Sequence, residues 1–422
     1  MKRTIPILVL GSFCAAAALR AATPSFDWPQ FRGANRDDIS KETGLLAQWP
    51  ADGPAKIWSY TQAGLGYSGF SVVGGKLFTM GTRDNGEILI CLDATTGKEL
   101  WVSKIGQFDS MPQKNWGEGP RGTPTVDGAG VYTLGSDGTL VAVRIADGKE
   151  LWRTTMADLG GKIPGWGYTE SVLVDGKQVV CTPGGSKGAM AALDKATGRV
   201  LWQSEKWTDG AQYSSIVPAD INGQRQYVQR SLTNIVGIAA KDGALLWQQP
   251  YPGKTAMIPT PIVKGNQIYV ASGYGVGSLS FTIEPGNQIT MLYDETAGTS
   301  KVMKNHHGGV ILLGDKLYGY SDGVGWTCQD FKTGALVWAE KKALQKGAIA
   351  YADGHFYCLE EGTGNVVLVD ASPTGWSEKS RFKLDPQSSI RSPQGHIWTH
   401  PVIANGRLYL RDQDLIFCYA VK

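Results

Sequence analysis

Residues 91–101 read CLDATTGKELW, and variants of this phrase recur along most of the chain. Four of the variants end at later tryptophans: VRIADGKELW at Trp152, ALDKATGRVLW at Trp202, IAAKDGALLW at Trp247 and CQDFKTGALVW at Trp338. Successive tryptophans are 51, 50, 45 and 91 residues apart, and the longest step contains a degenerate copy, MLYDETAG. A period of this length is typical of a repeat protein, and a β-propeller with one blade per repeat is the leading interpretation.

One period, residues 121–152, shows what each repeat contains. Short apolar runs alternate with the turn sequences Asp127-Gly128, Ser136-Asp137-Gly138 and Asp147-Gly148. An Asp-Gly pair between apolar runs is a strong hairpin signal, so the pattern predicts four antiparallel strands. Stacking such sheets around a ring buries both of their apolar faces, and the tryptophan ending each repeat is expected to fill the space between neighbouring blades.

The count of repeats predicts eight blades. Their first strands are expected to begin near Gly69, Gly122, Thr169, Ser214, Pro259, Gly308, Gly347 and Thr399. The last repeat has only three strands, whereas residues 55–60 (AKIWSY) resemble a fourth strand without its first three. We therefore predict an all-β fold in which residues 55–422 form a single eight-bladed propeller. Its last blade is closed by the N-terminal strand, which removes a free sheet edge.

The N-terminus predicts export. Residues 1–22 combine a basic start, an apolar run and a stretch of small residues, which is the layout of a signal peptide. The alternative, a membrane anchor, is disfavoured because the apolar run is short. Cys14 follows Phe13 where lipid attachment requires a small residue. We expect a cleaved signal peptide, a periplasmic or secreted protein without a transmembrane segment, and residues 23–54 as an extension packing on the propeller.

Charge and cysteine content exclude several classes of function. The chain has 41 Lys and Arg against 38 Asp and Glu, and the small excess lies within residues 1–22. A neutral protein has no broad attraction for phosphate backbones, so nucleic acid is not an expected partner. Five cysteines follow the signal peptide, all inside apolar runs and without the paired spacing of zinc ligands, which predicts buried core residues.

The candidate binding site follows from the turn lengths. The first-to-second and third-to-fourth turns are tight and share one face of the ring, whereas long links between blades occupy the other, which we call the long-loop face. Elaborated loops on a rigid scaffold are typical of a recognition surface. Polar and aromatic residues at these links are expected to converge on an axial pocket. The candidates are Arg121, Trp166, Tyr168, Glu170, Tyr213, Asn305, His306, His307, Lys346, Trp398 and His400. The alternative is that these side chains plug the channel and satisfy one another.

Catalytic and metal-binding roles were weighed for the same cluster. Glu170 and His400 are the candidates for a general acid or base. Imidazole and carboxylate groups could together bind a metal ion, but adjacent residues of a strand point to opposite sides. At most one of His306 and His307 is then expected to face the channel, and the sequence assigns no metal site.

The repeat carries a family resemblance. LDATTGKELW, preceded by GGKLFTMGT at residues 74–82, resembles the pyrroloquinoline-quinone (PQQ)-type propeller repeat, and Trp28–Glu42 (WPQFRGANRDDISKE) resembles the start of exported bacterial PQQ-like propeller proteins. Two functions are implied. Quinoprotein alcohol dehydrogenases bind PQQ and Ca²⁺ on the axis, whereas BamB-like scaffolds of outer-membrane assembly bind partners and no cofactor.

The chain departs from the quinoprotein pattern. Many of those enzymes carry a disulfide between adjacent cysteines, and no two cysteines are adjacent here. Glu170, Asn305 and Asp322 offer the residue types of a Ca²⁺ site without matching a motif, and a haem-attachment sequence is missing. The first hypothesis is therefore a monomeric binding or scaffold module that takes a protein, glycan or small-molecule partner on its long-loop face and axial pocket. The alternatives are a PQQ- and Ca²⁺-dependent alcohol oxidoreductase and, third, a metal-dependent hydrolase or lyase.

Overall fold

The computed structural model describes residues 25–107, 114–299 and 301–422. Within these ranges the strands form eight sheets that follow one another along the chain, each with four antiparallel strands, and one of them is extended by a short parallel strand. The predicted eight-bladed, all-β propeller is therefore confirmed. The predicted signal peptide, residues 1–22, lies outside the described residues.

Two strands precede the blades, β1 (Ile39–Ser40) and β2 (Lys56–Tyr60). Blades 1 to 4 consist of β3 (Ser71–Val73), β4 (Lys76–Arg83), β5 (Gly86–Asp93), β6 (Glu99–Gln107); β7 (Thr125–Asp127), β8 (Gly130–Leu134), β9 (Thr139–Arg144), β10 (Glu150–Thr155); β11 (Leu173–Asp175), β12 (Gln178–Cys181), β13 (Ala191–Asp194), β14 (Val200–Gln203); and β15 (Val217–Ile221), β16 (Gln224–Arg230), β17 (Asn234–Ala239), β18 (Leu245–Pro250). Blades 5 to 8 consist of β19 (Ile262–Lys264), β20 (Gln267–Ser272), β21 (Gly277–Ile283), β22 (Ile289–Asp294); β23 (Val310–Leu313), β24 (Lys316–Ser321), β25 (Gly325–Asp330), β26 (Leu336–Glu340); β27 (Gly347–Ala352), β28 (His355–Glu360), β29 (Asn365–Asp370), β30 (Glu378–Lys383); and β31 (Val402–Ala404), β32 (Arg407–Asp412), β33 (Leu415–Ala420) with β2. A single 3₁₀ turn, Lys114–Trp116, lies in the link between blades 1 and 2.

The ring is closed as the sequence predicts. Strand β2 pairs antiparallel with β33, with Trp58 opposite Cys418 and Ser59 opposite Phe417. The N-terminal strand thus supplies the outermost strand of blade 8, and the sheet that would otherwise end at β33 has its fourth member.

The repeated tryptophans join neighbouring blades. The indole nitrogen of Trp152 donates to the carbonyl of Lys195 in the next blade, 2.9 Å away, and that of Trp58 donates to Ala94 at 3.0 Å. The rings of Trp58, Trp101, Trp152 and Trp202 lie against the glycine of the next repeat's turn, and a Cβ built on Gly198 would come within 2.7 Å of Trp152. These glycines also have positive φ, 72° at Gly198, so the turn requires glycine for two reasons.

An N-terminal segment crosses the channel. Residues 26–40, which we call the axial segment, contact the innermost strands of several blades and the residues that enter them. Trp28 forms a β-bridge with Val72 of blade 1, and the carbonyl of Pro29 accepts from Val126 of blade 2. Strand β1 adds in parallel to β27 of blade 7. The segment therefore connects blades that are far apart in sequence.

Two arginines of the axial segment are buried in the channel. The Arg36 guanidinium donates to the carbonyls of Ser171, Val172 and Ile216, at 3.0, 2.6 and 2.9 Å. Burial lowers the pKa of Arg36 to about 10, an effect that the charge of nearby Glu170 opposes, so the group stays cationic at neutral pH. Arg32 donates to the Asp38 carboxylate at 2.6 Å and to a blade-6 carbonyl. These contacts give backbone carbonyls around the axis the partners that buried polar groups require.

The cysteines of the described residues belong to the core. Cys91, Cys181, Cys328, Cys358 and Cys418 are buried and free, as predicted. No helix in the described ranges is long and apolar enough to cross a membrane.

Candidate functional site

A cavity of about 450 Å³ opens on the axis at the long-loop face. Its walls come from the links between blades and from residues 61–70, and the side chains of Trp28, Phe31, Arg32 and Asp38 in the axial segment line its base. This size lies within the range of small-molecule sites. The aromatic side chains in its lining are Trp28, Phe31, Tyr67, Phe70, Trp116, Trp166, Tyr213, Tyr274 and Trp398.

The cavity gathers most of the residues that the sequence singles out. Those that line it are Arg121, Trp166, Tyr213, His306, His307, Trp398 and His400. Those that do not are Tyr168, Glu170, Asn305 and Lys346.

Each of the four residues outside the lining has a local structural role. The Tyr168 hydroxyl donates to the Pro183 carbonyl at 2.9 Å. The Asn305 amide donates to two backbone carbonyls, both 3.0 Å away. The Lys346 ammonium pairs with Asp322 at 2.8 Å and also contacts Nδ1 of His306. Glu170 is only 2 % exposed, which removes this candidate acid or base from the cavity surface.

The expectation that at most one of His306 and His307 faces the channel is wrong. Both line the cavity, with ring centroids 4.9 Å apart. The expectation assumed that these residues lie in a strand, where neighbours alternate. They lie instead in the irregular link before β23, where this alternation does not apply.

His306 connects a half-buried lysine to a phenol in the cavity wall. The Lys346 ammonium lies 2.7 Å from Nδ1, and the Tyr274 hydroxyl lies 2.7 Å from Nε2. An ammonium only donates, so Nδ1 accepts and the ring proton resides on Nε2. Burial, together with the charges of His307 and Lys346, lowers the pKa of His306 to about 2, in agreement with a neutral ring. Nε2–H then donates to Tyr274, and the phenolic proton is left for another acceptor.

Tyr274 also has an unusual backbone. Its φ of 55° lies in the left-handed region, which a bulky residue rarely adopts. Such strain is maintained only where the surroundings hold the residue in place. Here the turn between β20 and β21 directs the ring toward His306, with centroids 4.6 Å apart. The sequence favours a tight turn at residues 274–277, and nothing in that pattern identifies Tyr274 as a cavity residue.

His307 and His400 are fixed by acceptors of the protein. The His307 ring lies against the Glu361 carboxylate, which also accepts from the Trp398 indole at 3.2 Å. Burial lowers the pKa of His307, and the contact with Glu361 only partly opposes this. His400 lies between the His307 carbonyl, 2.8 Å from Nε2, and the Asp38 carboxylate, 3.3 Å from Nδ1. The two histidines therefore stiffen one wall of the cavity.

Arg121 differs from the other charged residues of the cavity. Its Nη2 donates to the Gly117 carbonyl at 2.8 Å, and the guanidinium stacks over the Tyr67 ring at 4.8 Å. Its Nε is buried without a partner among the described residues. Arg32, by contrast, is paired with Asp38. Of the arginines in the described lining, Arg121 is thus the one without a carboxylate partner.

The residues at the base of the cavity have no signature in the repeat pattern. Arg32 and Asp38 lie six residues apart in a segment with no strand pattern of its own, and their partners are far along the chain. The available signal was the group of two arginines and two aspartates within residues 32–38, ahead of the first propeller strand.

Glu170 predicts a pH effect on stability. Burial raises its folded-state pKa from 4.5 to about 8, although Thr182 and Arg36 oppose the shift. Its contribution to stability is therefore fully present below pH 4.5 and is lost as the pH rises through 8. We expect Glu170→Gln to be more stable than the native protein at pH 8, by on the order of 2 kcal/mol, with little difference at pH 4. Urea unfolding at both pH values measures this, and an equal difference at both would contradict the assignment.

The donors present do not fit a Ca²⁺–quinone site. Glu170 is buried away from the cavity lining, the Asn305 amide is used by two carbonyls, and Asp322 is paired with Lys346. Among the described residues no three His, Cys, Asp or Glu side chains are grouped to hold a metal ion.

An eight-bladed propeller with an axial, aromatic-walled cavity defines a class that includes both scaffolds and enzymes. The family model described as outer membrane protein assembly factor BamB matches residues 46–153 and 84–340, more than half of the chain. The chain therefore belongs to the BamB family of propeller proteins.

Individual relatives are distant. The outer membrane protein assembly factor BamB of Yersinia pestis is 23% identical over 202 residues, which cover 46% of this chain and 48% of the relative. That of Shewanella oneidensis is 22% identical over 256 residues, covering 56% of each chain. The chain thus spans about half the length of the curated relatives it matches.

Solved structures show the same fold. BamB from Moraxella catarrhalis matches with a TM-score of 0.61 and 15% identity, over 87% of this chain and 97% of that one. The quinohemoprotein alcohol dehydrogenase from Comamonas testosteroni matches with a TM-score of 0.64 and 13% identity, over 94% of this chain and 80% of the enzyme. At these identities the likeness concerns the fold alone.

Proposed function

We propose that this protein is an exported binding module that holds a partner on its long-loop face, with the axial cavity as the recognition pocket. The observation that carries the proposal is the cavity itself, aromatic in its walls and closed at its base by the paired Arg32 and Asp38. Rigid walls of this kind bind without reorganisation, which lowers the cost of association.

The class of partner and the cellular location are also part of this proposal. The curated relatives are named as outer membrane protein assembly factors, which supports a protein partner, whereas the aromatic and hydroxyl lining supports a glycan or another small molecule. The predicted signal peptide supports a periplasmic or secreted protein. We propose that it acts as a monomer.

One structural likeness supports the alternative that the protein is an oxidoreductase. A quinohemoprotein alcohol dehydrogenase shares the fold, and the family resemblance of the repeat implies that such enzymes bind PQQ on the axis. The engaged carboxylate and amide groups described above argue against this alternative. PQQ with Ca²⁺ is therefore included among the probes below, and alcohol-dependent dye reduction in its presence would replace the binding-module proposal.

The proposal is tested by tryptophan fluorescence, because Trp116, Trp166 and Trp398 line the cavity. The probes are oligosaccharides, short peptides and PQQ with Ca²⁺. We expect at least one probe to change the emission at saturation. Trp398→Ala is expected to weaken that probe at least about tenfold, because Trp398 packs against Tyr67 and His307, with ring centroids 5.1 and 5.6 Å away.

The matched control is Ile390→Ala, a change in the same link at a side chain that is 44 % exposed and does not line the cavity. It should bind as the native protein does, and circular dichroism should show both variants folded. A native protein that responds to none of the probes, or equal affinity in Trp398→Ala, would reject the cavity as the recognition pocket.

A further inference from the structure

The described lining of the cavity contains one acidic side chain, and that carboxylate is already paired. Asp38 is the acidic residue in the described lining, and it is paired with Arg32 at 2.6 Å and with His400 at 3.3 Å. Among the described residues, Arg121 has no carboxylate within ion-pair distance. In a partly enclosed site an unpaired guanidinium attracts an anion, and its planar donors match a carboxylate or sulfate.

The Tyr274 hydroxyl is a second hydrogen-bond donor available to a ligand. His306 donates to the Tyr274 oxygen, so the Tyr274 hydroxyl proton is directed to an acceptor outside the Lys346–His306 pair. The charge of Arg121 and the hydroxyl of Tyr274 therefore both call for acceptor atoms in the ligand.

The remaining lining suits a ring that carries hydroxyl groups. Small hydroxyl side chains alternate with the aromatic walls: Thr123, Thr169, Ser171, Ser215, Thr255 and Thr260. The Thr260 hydroxyl is buried without a partner among the described residues. Trp166 and Tyr213 form one wall, with ring centroids 6.4 Å apart, against which the C–H face of a sugar can pack.

We propose that the cavity binds an acidic saccharide, with the carboxylate or sulfate of the sugar on Arg121 and a further acceptor on Tyr274. This inference rests on the proposed function and specifies its ligand. Neutral sugars lack the anion, and aromatic acids lack the hydroxyl groups that the threonine and serine side chains would bind.

The experiment is a calorimetric titration of the mature protein with trigalacturonate, with its full methyl ester and with a sulfated neutral disaccharide. We expect one of the two acidic ligands to bind, and the ester to bind at least about tenfold more weakly, because it has the same rings without the charge. Binding of trigalacturonate identifies a carboxylate as the anion, and binding of the sulfated sugar identifies a sulfate.

The decisive variant is Arg121→Gln. It should weaken the acidic ligand about 10- to 100-fold and leave the affinity for the ester unchanged, which locates the charge contact on this side chain. Tyr274→Phe should weaken the acidic ligand by a smaller factor. Arg144→Gln is the matched control, because its guanidinium is exposed and paired with Asp147 on a tight turn.

Two results would overturn the inference. One is equal affinity for the ester and the acid, and the other is an unchanged affinity in Arg121→Gln. If a peptide or PQQ occupies the cavity in the fluorescence assay while no acidic saccharide binds, the proposed function stands and this inference fails.

Discussion

Trp58→Ala is expected to lower the free energy of unfolding by about 3–5 kcal/mol, the range for removing a buried tryptophan. Trp58 is 8 % exposed and lies on the strand that closes blade 8. Its ring packs against Tyr409 and over Gly97 of blade 1, and its indole nitrogen donates to Ala94. The substitution therefore removes contacts on both sides of the closure at once.

Chemical denaturation followed by fluorescence measures the effect. The control is Ile57→Ala in the same strand, because Ile57 is 41 % exposed and should cost less than about 1 kcal/mol. If both variants lose the same small amount of stability, the seam between blades 8 and 1 contributes little and the account of closure is wrong.

Arg36→Met is expected to cost a similar amount, about 3–5 kcal/mol. The guanidinium supplies donors to three carbonyls at the entries of blades 3 and 4, and it is 3 % exposed. Methionine fills most of the same volume but donates nothing, so the carbonyls of Ser171, Val172 and Ile216 would be buried without these partners.

Arg144→Met is the control for this prediction, since that arginine is exposed and its ion pair with Asp147 should contribute less than about 1 kcal/mol. Urea unfolding of the two variants gives the comparison. Equal stabilities would show that water replaces the Arg36 donors at no cost and that the axial segment is not anchored by this side chain.

The fold was predictable because its information is local and repeated. Each turn and each tryptophan appears several times, so a weak signal at one place is supported by the others. The closing strand was found for the same reason, since Trp58 follows the pattern of the other outer strands. Even the degenerate fifth blade keeps the arrangement, with Tyr293 packed over Gly334 in the tryptophan position.

The candidate site was predictable only in part. Residues at the ends of long links converge on the axis by topology, which explains Trp166, Tyr213 and Trp398. The side chains of Tyr168 and Asn305 instead donate hydrogen bonds to backbone carbonyls. Residue type alone does not show whether such a side chain binds the backbone or lines the cavity. Arg32 and Asp38 could not be predicted as cavity residues, because they lie in a segment that does not repeat. Without a repeat, the sequence does not show which residues of the segment face the axis.

The axial segment has a consequence for how the chain reaches its native state. Its amide at Phe26 bonds to Asn405, 379 positions later, and its arginines need blades 3, 4 and 6 in place. Contacts of such large sequence separation form late, because a long loop must close before they stabilise anything. The portion made first by the ribosome is thus among the last to dock. Until blade 8 has formed, the axial segment lacks part of its binding site. A chain that ended before β33 would therefore form an open ring of blades without the closing strand pair.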